Sequence, residues 1–197
     1  NVPTLKFICD SFDTIFFMDV KFRRALTHLY SLLFLVTPLL MFHRTSELFE
    51  FNKMLFIYLA TGAIAILWVS RMILLKRIIL KNTLFSPVML LFLVSQIVST
   101  VFSIDTSTSI FGYYGRFNGG LLSITSYILL YIACVSNFSG QELKNIVNNL
   151  FKYSLIGSIL VMLWGIPSKF GYDLSCLLFT GKFDVGCWTE QFKPTIR

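Results

Sequence analysis

Five apolar stretches, separated by short polar ones, make up most of this chain. They lie at about residues 25–42, 54–70, 84–102, 121–135 and 153–166. A helix needs roughly 17 to 25 residues to cross the hydrocarbon core of a bilayer, so the last two stretches are expected to extend into their flanking loops. Because lipid offers the backbone no hydrogen-bond partners, spanning segments of this length are helical. The pattern predicts an all-α, polytopic membrane protein with about five transmembrane helices.

The composition favours the same class. Hydrophobic residues make up 55% of the chain and charged residues 14%, and the mean hydropathy is +0.72. A soluble domain usually has roughly a quarter charged residues. The net charge of +7 is spread in short clusters between the apolar stretches, which is typical of membrane loops and not of a nucleic-acid groove. We therefore expect a lipid bilayer as partner and no nucleic acid.

The distribution of Lys and Arg predicts the orientation, because cytoplasmic loops carry an excess of these residues. Ten of them lie before the first stretch or in the second and fourth connections, against three in the alternate connections. The ten are Lys6, Lys21, Arg23, Arg24, Arg71, Lys76, Arg77, Lys81, Lys144 and Lys152, and the three are Arg44, Lys53 and Arg116. We therefore expect a multi-pass protein of the cytoplasmic (inner) membrane with its N-terminus on the cytoplasmic side. Residues 1–24 would then be cytoplasmic, residues 25–166 a membrane domain and residues 167–197 an extracytoplasmic loop. Since the chain begins with Asn1 and ends at Arg197 in a polar stretch, we expect a fragment of a longer protein.

The chain has none of the common motifs of metal or nucleotide chemistry. It contains no Gly-rich phosphate loop, no HExxH, no CxxC pair and no Asp-x-Asp motif. His28 and His43 are too isolated to form a metal site. We therefore expect no metal and no cofactor, and the catalytic residues stay unassigned.

The most informative polar segment precedes the fourth stretch, at residues 103–123. In it Arg116 lies among Gly112, Gly115, Gly119 and Gly120, glycines that let the backbone take turn conformations. An Arg near the start of a helix can bind phosphate or diphosphate in a forked geometry. The competing interpretation is that Arg116 is an interfacial anchor and that the glycines form a turn. Asp105 is interpreted as a cap or interface residue and not as a base.

Two further segments have open interpretations. Cys176 and Cys187 lie in the expected external loop, where they would form a disulfide or remain two thiols. The stretch 71–82 alternates basic and apolar residues. It would either lie along the anionic inner leaflet or continue the second helix past the bilayer with basic anchors.

The run FSIDTSTSIFGYYGRFNGGLLS, followed by a Tyr-rich apolar helix, resembles the first half of bacterial O-antigen ligase and polymerase family proteins. The segments ELFEFNKM and CWTEQFKPTIR also look like that family. The resemblance covers roughly residues 29–197 and is most specific in GYYGRFNGG. It implies a GT-C-like, metal-independent, inverting glycosyltransferase that moves a glycan from an undecaprenyl-diphosphate carrier to lipid A core, another glycan or a protein. The family's later helical block, with an external loop carrying catalytic Arg and His, has no counterpart in these residues.

The resemblance implies a substrate contact for Arg116, with Tyr113, Tyr114 and Asn118 as neighbours. Two other functions stay open. A transporter or flippase for an anionic lipid-linked substrate would also use interfacial Arg and broken helices, and internal pseudo-symmetry would favour it. A non-catalytic membrane scaffold would bind no ligand at its external loops. Turnover, translocation without turnover, or neither would separate the three.

Overall fold

The computed structural model describes residues 3–40 and 50–183, and every regular element in these ranges is a helix. The prediction of an all-helical fold is thus confirmed for the described residues. The elements are α1 (Pro3–Leu39), α2 (Glu50–Leu75), α3 (Ser86–Val101), α4 (Thr106–Phe111), α5 (Leu121–Asn137), α6 (Gln141–Gly165), a 3-10 turn (Pro167–Phe170) and α7 (Leu174–Thr180).

Two helices extend well beyond the apolar stretches that predicted them. The first begins at Pro3 and not near residue 25, and α6 begins at Gln141 and not near residue 153. The first turns of α6 are polar on one side, but they bury Ile146 in the core and pack Leu143 and Leu150 against it. Burial of one face is enough to hold such a segment as helix. A search for wholly apolar stretches does not detect it.

Within residues 3–40 and 50–183, two helical segments are long and apolar enough to cross a membrane. They are Glu50–Leu75, with 26 residues, and Gln141–Phe170, with 30 residues, which includes the 3-10 turn. Two further apolar helices, Ser86–Val101 and Leu121–Asn137, are shorter.

The long helices pack against one another in four pairs among the described residues. Helix α1 packs against both α2 and α6, α2 packs against α5, and α5 packs against α3. The buried core joins α1, α2, α5 and α6 and consists mainly of Leu26, Tyr30, Ile64, Trp68, Ala133, Phe138 and Ile146. These residues lie toward one end of the bundle, where α2 and α5 finish and α6 starts.

That end is closed by a partly buried ionic network of five side chains from four helices. Arg71 donates through Nε to Asp19 Oδ1 at 2.6 Å and through Nη1 to Asn137 Oδ1 at 2.6 Å. Arg23 donates through Nη2 to Asp19 Oδ2 at 2.9 Å and through Nη1 to Glu142 Oε2 at 2.8 Å. We call this the ionic network and the end that holds it the network end. The opposite end, where α2 begins at Glu50 and α5 begins at Leu121, is the loop end.

The position of Arg71 corrects its predicted role. The sequence placed Arg71 among basic anchors at a membrane face, yet its side chain is 3% exposed and that of its partner Asp19 is 9% exposed. Burial would raise the pKa of Asp19, but hydrogen bonds from Arg71 and Arg23 outweigh this and hold its pKa below the usual value. Asp19 therefore stays ionised and joins α1 to the last turn of α2.

Gly157 sets how closely α6 approaches α1. A Cβ at this position would lie 2.8 Å from Pro38 Cγ and 3.1 Å from the Leu35 carbonyl oxygen. We expect Gly157→Leu to destabilise the chain by roughly 1–3 kcal/mol, because overpacking forces the two helices apart. The denaturation midpoint in detergent micelles measures this.

Gly62 provides the matched control. It also lies inside a helix, but a Cβ there would meet nothing within 4 Å. Gly62→Leu should leave stability unchanged or raise it slightly, since glycine is unfavourable in helix interiors. Equal losses for the two variants would contradict the proposed close contact between α1 and α6.

Candidate functional site

Residues 112–120, which we call the glycine loop, form a compact turn at the loop end. The Tyr113 amide donates to the Asn118 carbonyl at 3.1 Å, and the Arg116 and Phe117 amides both donate to the Tyr113 carbonyl at 3.0 Å. Gly112, Gly115 and Gly119 have φ between +83° and +88°. The sequence-based prediction that glycines shape this turn is therefore confirmed at three of its four positions.

Close approach explains the fourth glycine. A Cβ on Gly120 would lie 2.4 Å from the Gly112 nitrogen and 2.5 Å from the Ile110 carbonyl oxygen. The two ends of the glycine loop thus touch, and only a residue without a side chain fits there. Helix α5 begins directly after this contact.

Phe117 fixes the glycine loop to the start of α2 through its ring and its backbone carbonyl. The Phe117 ring packs edge-on against Phe51, with 5.4 Å between centroids, and the Tyr58 hydroxyl donates to the Phe117 carbonyl at 2.6 Å. Phe117 has a φ of +53°, which is unfavourable for a residue with a side chain. The packing and the hydrogen bond therefore hold an unfavourable backbone conformation and orient the neighbouring Arg116.

Arg116 lies beside a carboxylate at the surface. Its Nε is 3.6 Å from Glu50 Oε2, and the two side chains are 52% and 47% exposed. Exposed pairs of this kind contribute about 1 kcal/mol or less, so an incoming phosphate can displace the carboxylate. Arg116 is thus held near the first turn of α2 without being buried.

The other three predicted site residues differ in their surroundings. Tyr113 and Tyr114 are exposed, with Tyr114 fully so, and Asn118 is half-buried and accepts the Gly119 amide through Oδ1 at 2.8 Å. The structure places all four residues in one loop. Asn118 supports the turn, while Arg116 and the two Tyr side chains present polar groups at the surface.

Asp105 caps a helix, as the sequence indicated. Its Oδ1 accepts the Thr108 amide at 3.2 Å and its Oδ2 accepts the Thr108 hydroxyl at 2.6 Å, at the start of α4. The side-chain hydrogen bond from Thr108 holds the pKa of Asp105 below its usual value. A carboxylate stabilised in this way is a poor general base.

A cavity of about 610 Å³ opens between α1, α2, α5 and α6, on the loop side of the core. Its wall includes Tyr30, Pro38, Lys53, Tyr127, Cys134 and Ser158. The volume falls in the range of ligand-binding pockets. No sequence pattern predicted this cavity, because its shape depends on how four helices separate above a shared core.

Most of the cavity wall is apolar, and several of its hydroxyl groups are already bonded within the protein. Tyr30 donates to the Leu130 carbonyl at 2.7 Å, Tyr127 donates to Met54 Sδ at 3.3 Å, and the Tyr131 hydroxyl is 3.0 Å from that of Thr83. No buried side-chain polar atom lacks a partner in the part of the chain that the structure describes. The cavity therefore suits a hydrocarbon chain better than a polar solute.

A basic residue, Lys53, lies in the wall of the cavity. It follows Glu50, the partner of Arg116, by three residues on α2. Residues three apart lie on the same face of a helix. Lys53 thus lies on the same face of α2 as Glu50, the partner of Arg116. Sequence reasoning used Lys53 only for orientation.

The predicted disulfide lies partly outside the described residues. Cys176 is fully buried in α7, whereas Cys187 is not among residues 3–40 and 50–183. The Cys176–Cys187 bridge stays a prediction.

Within the described ranges, no three His, Cys, Asp or Glu side chains are grouped so that they would hold a metal ion. Comparisons with protein-family models, with curated proteins and with solved structures find no match for this chain. Its functional interpretation therefore depends on the site itself.

Proposed function

We propose that this chain is embedded in the cytoplasmic membrane through five helices, namely the second half of α1 and all of α2, α3, α5 and α6. The support is the apolar surface that these helices leave uncovered. Along α3 and α6 the exposed side chains include Leu91, Phe92, Phe151, Leu155, Met162 and Leu163. Soluble proteins rarely expose continuous apolar surface of this extent, whereas in a bilayer the lipid acyl chains cover it and keep it out of water.

The network end faces the cytoplasm in this proposal, and the loop end faces outward. Among the residues whose side chains the structure describes, exposed basic residues concentrate at the network end, which agrees with the rule that cytoplasmic loops are positively charged. The exposed residues are Lys21, Arg24, Lys76, Arg77, Lys81 and Lys144. The cavity and Arg116 then belong to the outer half of the membrane domain.

For function, we propose that the chain is part of a membrane-embedded glycosyltransferase of the O-antigen ligase or polymerase type. It would move a glycan from undecaprenyl diphosphate to a lipid A core, glycan or protein acceptor. The observation that carries this proposal is the apolar cavity with Lys53 in its wall, on the face of α2 that also carries Glu50, the partner of Arg116. A lipid-linked diphosphate has matching parts, a long hydrocarbon chain and a compact anionic group.

Each part of the site has a role in this proposal. The cavity holds a segment of the polyprenyl chain, and Arg116 and Lys53 contact the diphosphate, with Tyr113, Tyr114 and Asn118 nearby. The diphosphate displaces Glu50 from Arg116. The fixed cations stabilise the charge that develops on the leaving diphosphate as the acceptor hydroxyl attacks the anomeric carbon. We assign no catalytic base.

Binding of an undecaprenyl-diphosphate-linked glycan to the chain in proteoliposomes tests the proposal. We expect Arg116→Ala to weaken binding about 10- to 100-fold, the usual effect of losing a hydrogen bond between charged groups. Glu50→Gln should instead tighten binding several-fold, because it removes the competing carboxylate. Lys169→Ala, a basic residue after α6, is the control and should have no effect.

Two further measurements decide between the functions. Glycan transfer to an acceptor supports the transferase, while movement of the lipid-linked glycan between leaflets without transfer would indicate a transporter or flippase. A chain that neither binds, transfers nor moves the lipid would be a scaffold. Unchanged binding in Arg116→Ala would remove Arg116 from the site.

A further inference from the structure

Residues 76–85, which we call the basic loop, join α2 to α3 at the network end. The segment alternates basic and large apolar residues, and both kinds are exposed. The basic residues are Lys76, Arg77 and Lys81, and the exposed apolar ones are Ile78, Leu80, Leu84 and Phe85. In water four exposed apolar side chains in one non-helical segment are unfavourable. At a bilayer surface the same alternation places apolar groups among acyl chains and cations at the phosphates.

The basic loop is held in place from both sides. Trp68 Nε1 donates to the Ile79 carbonyl at 3.0 Å, and the Lys81 amide donates to Ser136 Oγ at 3.2 Å. Toward α3, the Thr83 amide donates to Ser86 Oγ at 3.0 Å. The cations therefore project from a fixed backbone.

Lys76 occupies a backbone position that favours glycine. The Arg77 amide donates to the Met72 carbonyl and the Lys76 amide to the Ile73 carbonyl, which is the hydrogen-bond pattern of a Schellman helix end. Lys76 itself has a φ of +50°, where glycine is the usual residue. A lysine here costs stability, which fits a role for its charge beyond the fold.

We propose that the basic loop is a binding site for anionic phospholipids of the adjoining leaflet. Lys76, Arg77 and Lys81 contact headgroup phosphates, and the four exposed apolar side chains insert among the acyl chains. Among the side chains that the structure describes at this end, the carboxylates of Asp19 and Glu142 pair with Arg23 and Arg71 and not with the cations of the basic loop. This inference rests on the proposed membrane embedding and is independent of glycan transfer.

Native mass spectrometry of the chain, released from nanodiscs of equal phosphatidylglycerol and phosphatidylcholine, tests the proposal. The wild-type chain should retain phosphatidylglycerol preferentially, and 0.5 M salt during equilibration should reduce this preference. Arg77→Gln with Lys81→Gln should reduce it about 25-fold, at roughly 5-fold for each cation near a charged surface. Lys169→Gln with Lys182→Gln removes the same charge elsewhere and should retain the preference.

Lys76→Gly separates lipid binding from a structural role. We expect this variant to raise the thermal midpoint and at the same time to lower phosphatidylglycerol retention about 5-fold. A raised midpoint with unchanged lipid retention would overturn the role of Lys76. Salt-independent retention by the wild type, or equal losses in the two double variants, would overturn the site. A chain that fails to incorporate into nanodiscs would contradict the membrane embedding itself.

Discussion

Arg71→Ala is expected to destabilise the chain by about 3–5 kcal/mol, because it leaves Asp19 buried without its closest partner. Arg71 contacts Asp19 and Asn137 at 2.6 Å each, so its loss also leaves the Asn137 amide oxygen without that donor. The variant should unfold at a much lower denaturant concentration in detergent micelles. Arg24→Ala, which removes an exposed arginine from α1, should change stability by less than about 0.5 kcal/mol.

Two measurements separate the ionic network from a simple packing effect. Asp19→Leu combined with Arg71→Met should recover much of the loss, since a buried ion pair is often replaced by apolar residues at little cost. The wild-type chain should also lose stability as pH falls through the depressed pKa of Asp19, because its contribution is present above the unfolded-state pKa. That loss should be smaller in the double variant. If Arg71→Ala is no less stable than Arg24→Ala, the ionic network does not hold the helices together.

The burial of Arg71 could not be predicted from the sequence. Hydropathy predicts the helices around residues 54–70, 84–102 and 121–135, since each contains enough apolar residues to be recognised alone. The charge rule then assigns every basic residue beyond such a stretch to a membrane face. Asp19 lies 52 residues before Arg71, so their contact depends on how α1 and α2 pack. No local pattern distinguishes the buried Arg71 from the exposed Arg77.

The backbone turn of the candidate site could be predicted from the sequence, but the contact of Arg116 with Glu50 and the cavity could not. Four glycines within nine residues indicated a tight turn. The structure gives a steric reason for Gly112 and Gly120, whereas Gly115 and Gly119 are explained by their positive φ. The contact between Arg116 and Glu50 joins the glycine loop to the start of α2, which is distant in sequence, and the cavity depends on the separation of four helices. Both arise from tertiary packing. The sequence therefore indicated the residue proposed to bind phosphate, but not the apolar cavity proposed to hold the lipid chain.

Gly112→Ala is expected to destabilise the chain by about 2–6 kcal/mol and to displace the glycine loop. Gly112 has a φ of +88° and a ψ of −166°, a conformation that is almost exclusive to glycine and costs other residues about 1–3 kcal/mol. A Cβ would also lie 2.1 Å from the Asn118 carbonyl oxygen, and this is backbone that cannot rotate away. Overpacking of this kind adds about 1–3 kcal/mol. Because the loop positions Arg116, binding of the lipid-linked glycan should weaken as well.

Gly119→Ala separates the effect of the close contact at Gly112 from the effect of a positive φ. Gly119 also has a positive φ, of +83°, but a Cβ there would meet nothing within 4 Å. This variant should therefore lose only about 1–2 kcal/mol, the cost of the left-handed conformation. Hydrogen exchange at the Tyr113 and Phe117 amides, which are bonded inside the loop, reports the local change separately from global unfolding. Fast exchange in Gly112→Ala and near-native exchange in Gly119→Ala would show that contact between residues 112 and 118 closes the loop. Equal protection in the two variants would contradict this, and Arg116 would then be positioned by Phe117 and Tyr58 alone.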